Sequence, residues 1–340
     1  MTKFYKILFL TMVFTSTLIS ISSYSWMAMW IGLEINVLSI IPILNSHKNK
    51  LSSEASIKYF ITQSIASSVI LLSIILTMMN TSFYSKIDQE SWTMIVMNSS
   101  LLMKMGMAPF HFWFPEVLEG LNWMNCMLML TWQKIAPMVL FMLNTKFKSF
   151  MTIVIIISMV ISGLMAFNQI SLRKIMAYSS INHMGWMISA MIFLQTTWMF
   201  YFIVYSLMTI NIIIILNSNK IFFLNQLMQN LNSSPSIKIF FIVNFLSLAG
   251  IPPFIGFLPK WLTIQTMVQN SLYILPFIMI ICTMMMIYVY INISISSLLI
   301  KSASPNWLIY KTNEMSNSSS YMNFVLITSL IMVTLTFNSF

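Results

Sequence analysis

The sequence predicts an all-α, polytopic membrane protein of about eleven transmembrane helices, built as an inverted repeat with two broken helices. Three observations carry that prediction. Of 340 residues, 58% are hydrophobic and 7% charged, where an ordinary soluble domain holds roughly 25% charge. Apolar windows of bilayer length recur from end to end, near 4–22, 25–44, 55–79, 91–119, 122–143, 149–167, 173–195, 197–217, 237–267, 271–300 and 320–338. Finally, Gly106-Met-Ala-Pro-Phe-His-Phe-Trp-Phe-Pro-Glu116 aligns without gaps with Gly250-Ile-Pro-Pro-Phe-Ile-Gly-Phe-Leu-Pro-Lys260, so that Gly, Pro, Phe and Pro coincide. The two segments fall in the fourth and ninth spans and so enter the membrane from opposite sides. Interrupted hydrophobic segments in corresponding halves point to an ion path between them. Residues 1–340 are read as one integral-membrane domain.

In the first span, MTKFYKILFL runs into an apolar stretch with no small-residue cleavage site, which predicts a retained, lipid-facing helix rather than a signal peptide. The second span carries Glu34 at its midpoint. A carboxylate at that depth costs several kcal/mol unless paired or hydrated, so it is functional by default. The competing reading is a neutral, hydrogen-bonded Glu34 that locks helices together. In the polar loop 45–58, His47 and Glu54 are expected to be solvated, and Ser53 with Ser56 to cap the third span.

The fourth span holds Lys104, Pro109, Glu116 and Glu119 within an apolar run. Proline removes a donor and clashes with the preceding turn, so the helix is predicted to break near 107–109. Lys104 then lies on the last turn of the first half, where the helix dipole favours a cation. The plainer alternative is a snorkelling lysine and an ordinary kink. His111 follows the break. The fifth span sets Lys134 near mid-membrane beside Thr131 and Gln133, with Pro137 predicted to kink the turn beyond. No carboxylate in that span neutralises Lys134, and desolvation disfavours a charged amine, which makes it a candidate proton carrier. His183 lies in the seventh span within YSSINHMGW, where a lone histidine is equally well a satisfied core residue. Lys260 closes the second repeat segment. The connections 217–236 and 301–319 read as polar surface loops.

The formal charge of +10 is spread singly or in pairs between apolar runs, with no basic stripe, which argues against nucleic acid. Eleven Lys and Arg lie on the N-terminal side, against Lys86, Lys146 and Lys148 on the other. That bias puts the N-terminus on the cytoplasmic or matrix face and, with an odd span count, the C-terminus opposite. Cys126 and Cys282 are lone, three histidines cannot form two bis-histidine haem sites, and no phosphate loop is present. The chain is therefore not expected to hold a metal, carry electrons or bind a nucleotide.

The stretches WIGLEINVLSIIPIL, SSEASIKYFITQ, LLMKMGMAPFHFWFPEVLEGL, TWQKIAPMVL, NQISLRKIMAYSSINHMGWM and NFLSLAGIPPFIGFLPKW resemble NADH–ubiquinone oxidoreductase chain 2 in its insect form. That family is the mitochondrially encoded, antiporter-like subunit of respiratory complex I. The resemblance runs through nearly the whole chain and is weakest at 1–24, 80–92 and 301–340. It implies an antiporter-like fold lacking three N-terminal helices of bacterial relatives, in the mitochondrial inner membrane, with the N-terminus in the matrix and the C-terminus in the intermembrane space. It also implies proton translocation through Glu34, Lys104, Lys134 and Lys260, with His111 and His183 on the same hydrophilic axis. NADH, FMN, iron–sulfur clusters and ubiquinone would be bound by other subunits. The implied partners are membrane-arm subunits, neighbouring antiporter-like subunits among them, and phospholipids, with no homo-oligomer. One departure stands out. The eighth span has Tyr205, Thr209 and Asn211 but no lysine or histidine such as some sister subunits carry, so a proton route past it would need water.

Two rival functions share these residues: a cation/proton antiporter outside complex I, and a structural anchor whose charges only hold helices together. Co-migration with NADH dehydrogenase activity on a native gel separates the first. The second predicts that neutralising Glu34 lowers assembly in step with activity.

Overall fold

The computed structural model describes residues 4–46, 49–80, 86–145, 147–230 and 235–299, and the described residues are helical apart from turns and one isolated antiparallel bridge, Ser171 to Phe223. In chain order the helices are α1 (Phe4–Ser22), α2 (Trp26–Leu44), α3 (Lys50–Asn80), α4 (Lys86–Met105), α5 (Trp113–Gly120), α6 (Trp123–Leu130) and α7 (Trp132–Met142). Then come α8 (Lys148–Ala166), α9 (Leu172–Met191), α10 (Gln195–Ser218), α11 (Leu224–Asn230), α12 (Pro235–Ala249), α13 (Phe257–Gln269) and α14 (Ile274–Leu299). They cluster into two compact units, divided between Ile157 and Ser158. The expected eleventh span, 320–338, the loop 301–319 and His47 lie outside the described residues.

Among the described residues, six helices are long and apolar enough to cross a bilayer: α1, α2, α3, α8, α10 and α14. The rest fall short for local reasons. Arg173, Lys174 and the run Ser179, Ser180, Asn182 and His183 lower the hydropathy of α9, while α12 has 15 residues.

In the first unit, α1 packs on α2 and α7, α3 on α2, α4 and α5, and α4 on α7. Small side chains let α1 and α2 approach closely. A Cβ on Gly32 would lie 2.8 Å from the Ser20 nitrogen. The buried Ser16, Thr17 and Ser20 hydroxyls are spent on carbonyls of their own helix, at 2.8–3.0 Å. In the second unit the centre is α9, packed against α10, α13 and α14. Every α9 residue except Arg173 and Lys174 is buried, as expected of a helix surrounded on all sides.

Local expectations are corrected in two places and given detail in two more. Ser53 and Ser56 do not cap α3, which begins at Lys50; their hydroxyls bond back inside the helix, to Lys50 O and Ser53 O, both at 2.7 Å. The fourth span is interrupted between Met105 and Trp113, which takes in the expected 107–109, and the helix is left at Gly106, at φ +69°. In the fifth span the discontinuity lies at Thr131, ahead of Pro137, where the hydroxyl donates to Met127 O at 2.7 Å and competes with the helix ladder. The loop 217–236 contains α11, whose start is fixed by Gln226 Oε1 accepting from Phe222 N at 2.8 Å and Phe223 N at 3.3 Å.

Candidate functional site

A helix leaves its last carbonyls without partners, and how they are satisfied decides what can sit there. At the end of α4, Gly106 N–H donates to Met103 O at 3.2 Å and Met107 N–H to Leu102 O at 3.0 Å, a glycine-terminated Schellman motif. Two side chains add to it: the Trp113 indole donates to Met103 O at 3.1 Å and Gln63 Nε2 to Lys104 O at 3.3 Å. At the end of α12 the same motif recurs, with Gly250 N–H to Ser247 O at 3.0 Å and Ile251 N–H to Leu246 O at 3.4 Å. The bonds after it are repeated as well: Phe110 N–H to Met107 O answers Phe254 N–H to Ile251 O, at 2.9 and 3.0 Å. Gly106 and Gly250, Met107 and Ile251, Phe110 and Phe254 are the aligned pairs of the sequence repeat.

The lysines at the two turns are held differently. Lys104 is buried on the last turn of α4, and its Nζ has no hydrogen-bond partner among the described residues. Half-buried Glu34 acts on it electrostatically, without direct contact. Lys104 lines a cavity of about 10 Å³ with Asn36, Tyr59, Gln63 and Gln133, which has room for a water and polar groups to hold it. Across that cavity Asn36 and Gln133 exchange two amide bonds, at 3.0 and 3.1 Å, joining α2 to α7.

Lys260 stands on the first turn of α13, the position occupied by Glu116 in α5. Its amine reaches back to Ala249 O at 2.7 Å and so caps α12. A Cβ on Gly250 would meet that side chain at 2.8 Å. Glu116, its counterpart, is exposed and bonds Lys58 Nζ at 2.9 Å, with Glu54 at 3.1 Å from the same amine. At 43% and 56% side-chain exposure the Lys58–Glu116 pair is a weak, solvent-screened surface tie.

Lys134 is buried on the first turn of α7, with Nζ 5.2 Å from the Phe114 ring centroid. Phe114 also fills the space a side chain on Gly106 would need, at 2.8 Å, so the turn after α4 and the Lys134 amine share one aromatic wall. His111 is buried, its Nδ1 3.4 Å from Pro109 O and its ring 4.4 Å from Phe112. Its Nε2 has no partner among the described residues. In the second unit His183 bonds Tyr201 through Nδ1 at 3.0 Å.

Glu34 thus acts on Lys104 only from a distance, Lys134 shares the Phe114 wall with the turn after α4, and Lys260 and His183 occupy separate settings in the second unit. Asn36, Gln63 and Tyr201 were not singled out from the sequence, although Asn36 and Gln63 stand in apolar runs where an amide is conspicuous. No group of three or more His, Cys, Asp or Glu side chains meets among the described residues.

Against known proteins, residues 23–287 match the family model described as NADH:quinone oxidoreductase/Mrp antiporter, TM. The NADH-ubiquinone oxidoreductase chain 2 of Anopheles gambiae is 45% identical over 98% of both chains. That of Locusta migratoria is 43% identical over 89% of this chain and 88% of the relative. Among solved structures, a chain of respiratory complex I from Thermus thermophilus with bound aureothin superposes with a TM-score of 0.86 at 20% identity, covering 98% of this chain and 80% of that one. A chain of the Mrp complex from Dietzia sp. DQ12-45-1b gives 0.81 at 12% identity, covering 96% and 75%. Identities that low establish a shared helical membrane fold, whereas the full-length relatives establish more: the chain belongs to the NADH-ubiquinone oxidoreductase chain 2 family.

Proposed function

We propose that this chain is a membrane-arm subunit of respiratory complex I and moves protons as electrons pass from NADH to ubiquinone in other subunits. NADH, FMN, iron–sulfur clusters and ubiquinone belong to those subunits, and neighbouring antiporter-like subunits and phospholipids surround this one. The chain is one antiporter-like domain in the mitochondrial inner membrane. Its eleven spans include two interrupted ones, α4–α5 and α12–α13, related as an inverted repeat, with the N-terminus in the matrix and the C-terminus in the intermembrane space. The repeated Schellman geometry at Gly106 and Gly250 supports the repeat.

The observation that carries the reading is the Lys104 amine, buried beside a water-sized polar cavity and within the field of Glu34. While Glu34 is ionised and near, it favours the charged amine. When the pairing loosens, the charge loses that support and a proton leaves. The magnitudes are matched. Two unit charges about 4 Å apart at an effective dielectric of about 20 attract by about 4 kcal/mol, and by proportionally less when farther apart. One charge crossing about 100 mV involves about 2.3 kcal/mol. His111, Lys134, His183 and Lys260 are the further carriers. Lys134→Met, in complex that assembles normally on a native gel, is expected to lower the protons ejected per NADH oxidised. Full stoichiometry in that variant would remove Lys134 from the route.

A further inference from the structure

The second unit has a stretch with no basic side chain to carry a proton: α10 contains neither lysine nor histidine. What it presents to His183 is a pair of tyrosines. Tyr201 and Tyr205, one turn apart, are both buried, and the His183 ring lies 6.0 Å from the first and 5.2 Å from the second, measured between centroids. They are not equivalent. The Tyr201 hydroxyl is 3.0 Å from His183 Nδ1, a direct hydrogen bond, whereas Tyr205 bonds Ser180, one turn earlier on α9. Tyr290, from α14, is buried within electrostatic reach of both phenols. Two phenols of α10 thus stand against one imidazole of α9, with a third phenol, from α14, in reach of both.

A phenol is expensive to bury and is normally given a partner. A partner alone could have been a backbone carbonyl, the choice made by the serines around it: Ser179, Ser180 and Ser189 all bond carbonyls of α9 at 2.7 Å. Tyr201 is instead joined to a second group that can both accept and release a proton.

We propose that Tyr201 is a proton carrier of this subunit, handing protons to His183 where other carriers would use a lysine or a water. The inference rests on the reading of His183 as part of the route. The transfer is balanced without forming tyrosinate. A proton from the preceding carrier forms a new O–H bond at the phenol oxygen as the phenol's own O–H breaks and an Nδ1–H bond forms on His183. The proton on Nε2 then leaves to the next acceptor, so phenol and imidazole end neutral. Rotation of the phenol O–H and a tautomer shift of the imidazole reset the pair.

The test compares assembled complexes carrying Tyr201→Phe, His183→Gln and Tyr205→Phe. Each is checked for abundance on a native gel and then measured for protons ejected per NADH oxidised in sealed inner-membrane vesicles. Tyr201→Phe removes one oxygen and keeps the ring. It is expected to lower the proton yield as far as His183→Gln does, since losing a positioned proton-transfer group slows transfer by about 10²-fold or more. Tyr205→Phe is expected to leave the yield unchanged. A normal yield in Tyr201→Phe beside a reduced one in His183→Gln overturns the inference while leaving the route intact. Normal yields in both overturn the place of His183 and the inference with it. An equal loss in Tyr205→Phe reduces the effect to packing and overturns it too. Should Tyr201→Phe not assemble, a map of the unaltered complex decides: a hydroxyl within hydrogen-bonding distance of Nδ1 upholds the proposal. One beyond about 3.5 Å ends it.

Discussion

Gly106 and Gly250 both adopt a left-handed conformation, at φ +69° and +79°, yet what a side chain would strike differs between them. At Gly106 it is the stem of Phe114, whose Cβ and Cγ lie 2.8 and 2.9 Å away. At Gly250 it is the far end of Lys260, which can swing aside. Alanine in the left-handed region costs roughly 1–2 kcal/mol at either site. Gly106→Ala is therefore expected to leave less assembled complex on a native gel than Gly250→Ala. Gly250→Ala should assemble but lose proton yield, since its methyl displaces the amine from Ala249 O. Equal abundance of the two variants would show that the Phe114 contact is not felt. A second prediction at this scale concerns Asn36 and Gln133. Removing Gln133 leaves the buried Asn36 amide without its partner, at about 1–3 kcal/mol, and removing Asn36 leaves the half-buried Gln133 amide so. In a double-mutant cycle of Asn36→Leu and Gln133→Leu, read by thermal denaturation of the complex, the double variant is expected to lose clearly less than the two singles together. Strict additivity would mean that the pair does not act as one. This pair was illegible in the sequence because its members stand 97 positions apart and no local period connects them. The buried lysines were legible because an ionisable group in an apolar run is conspicuous wherever its partner lies.

Helix ends show where sequence reasoning reaches and where it stops. The internal repeat was read from four coincident residues, and the same backbone bonds form at its two copies, since glycine and proline restrict the chain locally. The interruption expected near 107–109 lies within the break between α4 and α5, and Gly106 opens it. The break before α7, at Thr131, was not expected at all, because a back-bonding hydroxyl leaves no mark in hydrophobic periodicity. The tie from Trp113 to Met103 O and that from Gln63 to Lys104 O were equally hidden. Trp113→Phe tests the first. It keeps an aromatic ring against Tyr59 and Phe114, at 5.8 and 5.5 Å, and removes only the indole N–H. The expected loss is about 1 kcal/mol. It should appear as faster amide hydrogen exchange in the last turn of α4. Unchanged exchange there would mean that the Schellman bonds hold the end of the helix by themselves.

Over the molecule as a whole, each unit presents large apolar side chains outward, among them Leu18, Ile57 and Leu72 in the first and Phe277, Met284 and Ile295 in the second. In water such a surface would associate; in a bilayer it faces its own solvent. Against that background, charges turned inward need a reason, and two are available: they conduct, or they hold helices together. The contacts already separate some of them. Lys58 and Glu116 are exposed and paired, as a surface tie should be. Lys104 is buried with its amine unbonded among the described residues, a poor way to join helices. Glu34 decides the matter because it acts on Lys104 from a distance. Glu34→Gln preserves the side chain's size and its capacity to hydrogen-bond while abolishing the field. If the charge is there for conduction, the variant complex should reach normal abundance and eject fewer protons per NADH. If the charge is mortar, abundance and activity should fall together in this variant. The ratio of proton yield to assembled complex is thus the quantity to measure. A ratio unchanged from the unaltered complex would return Glu34 and Lys104 to the scaffold.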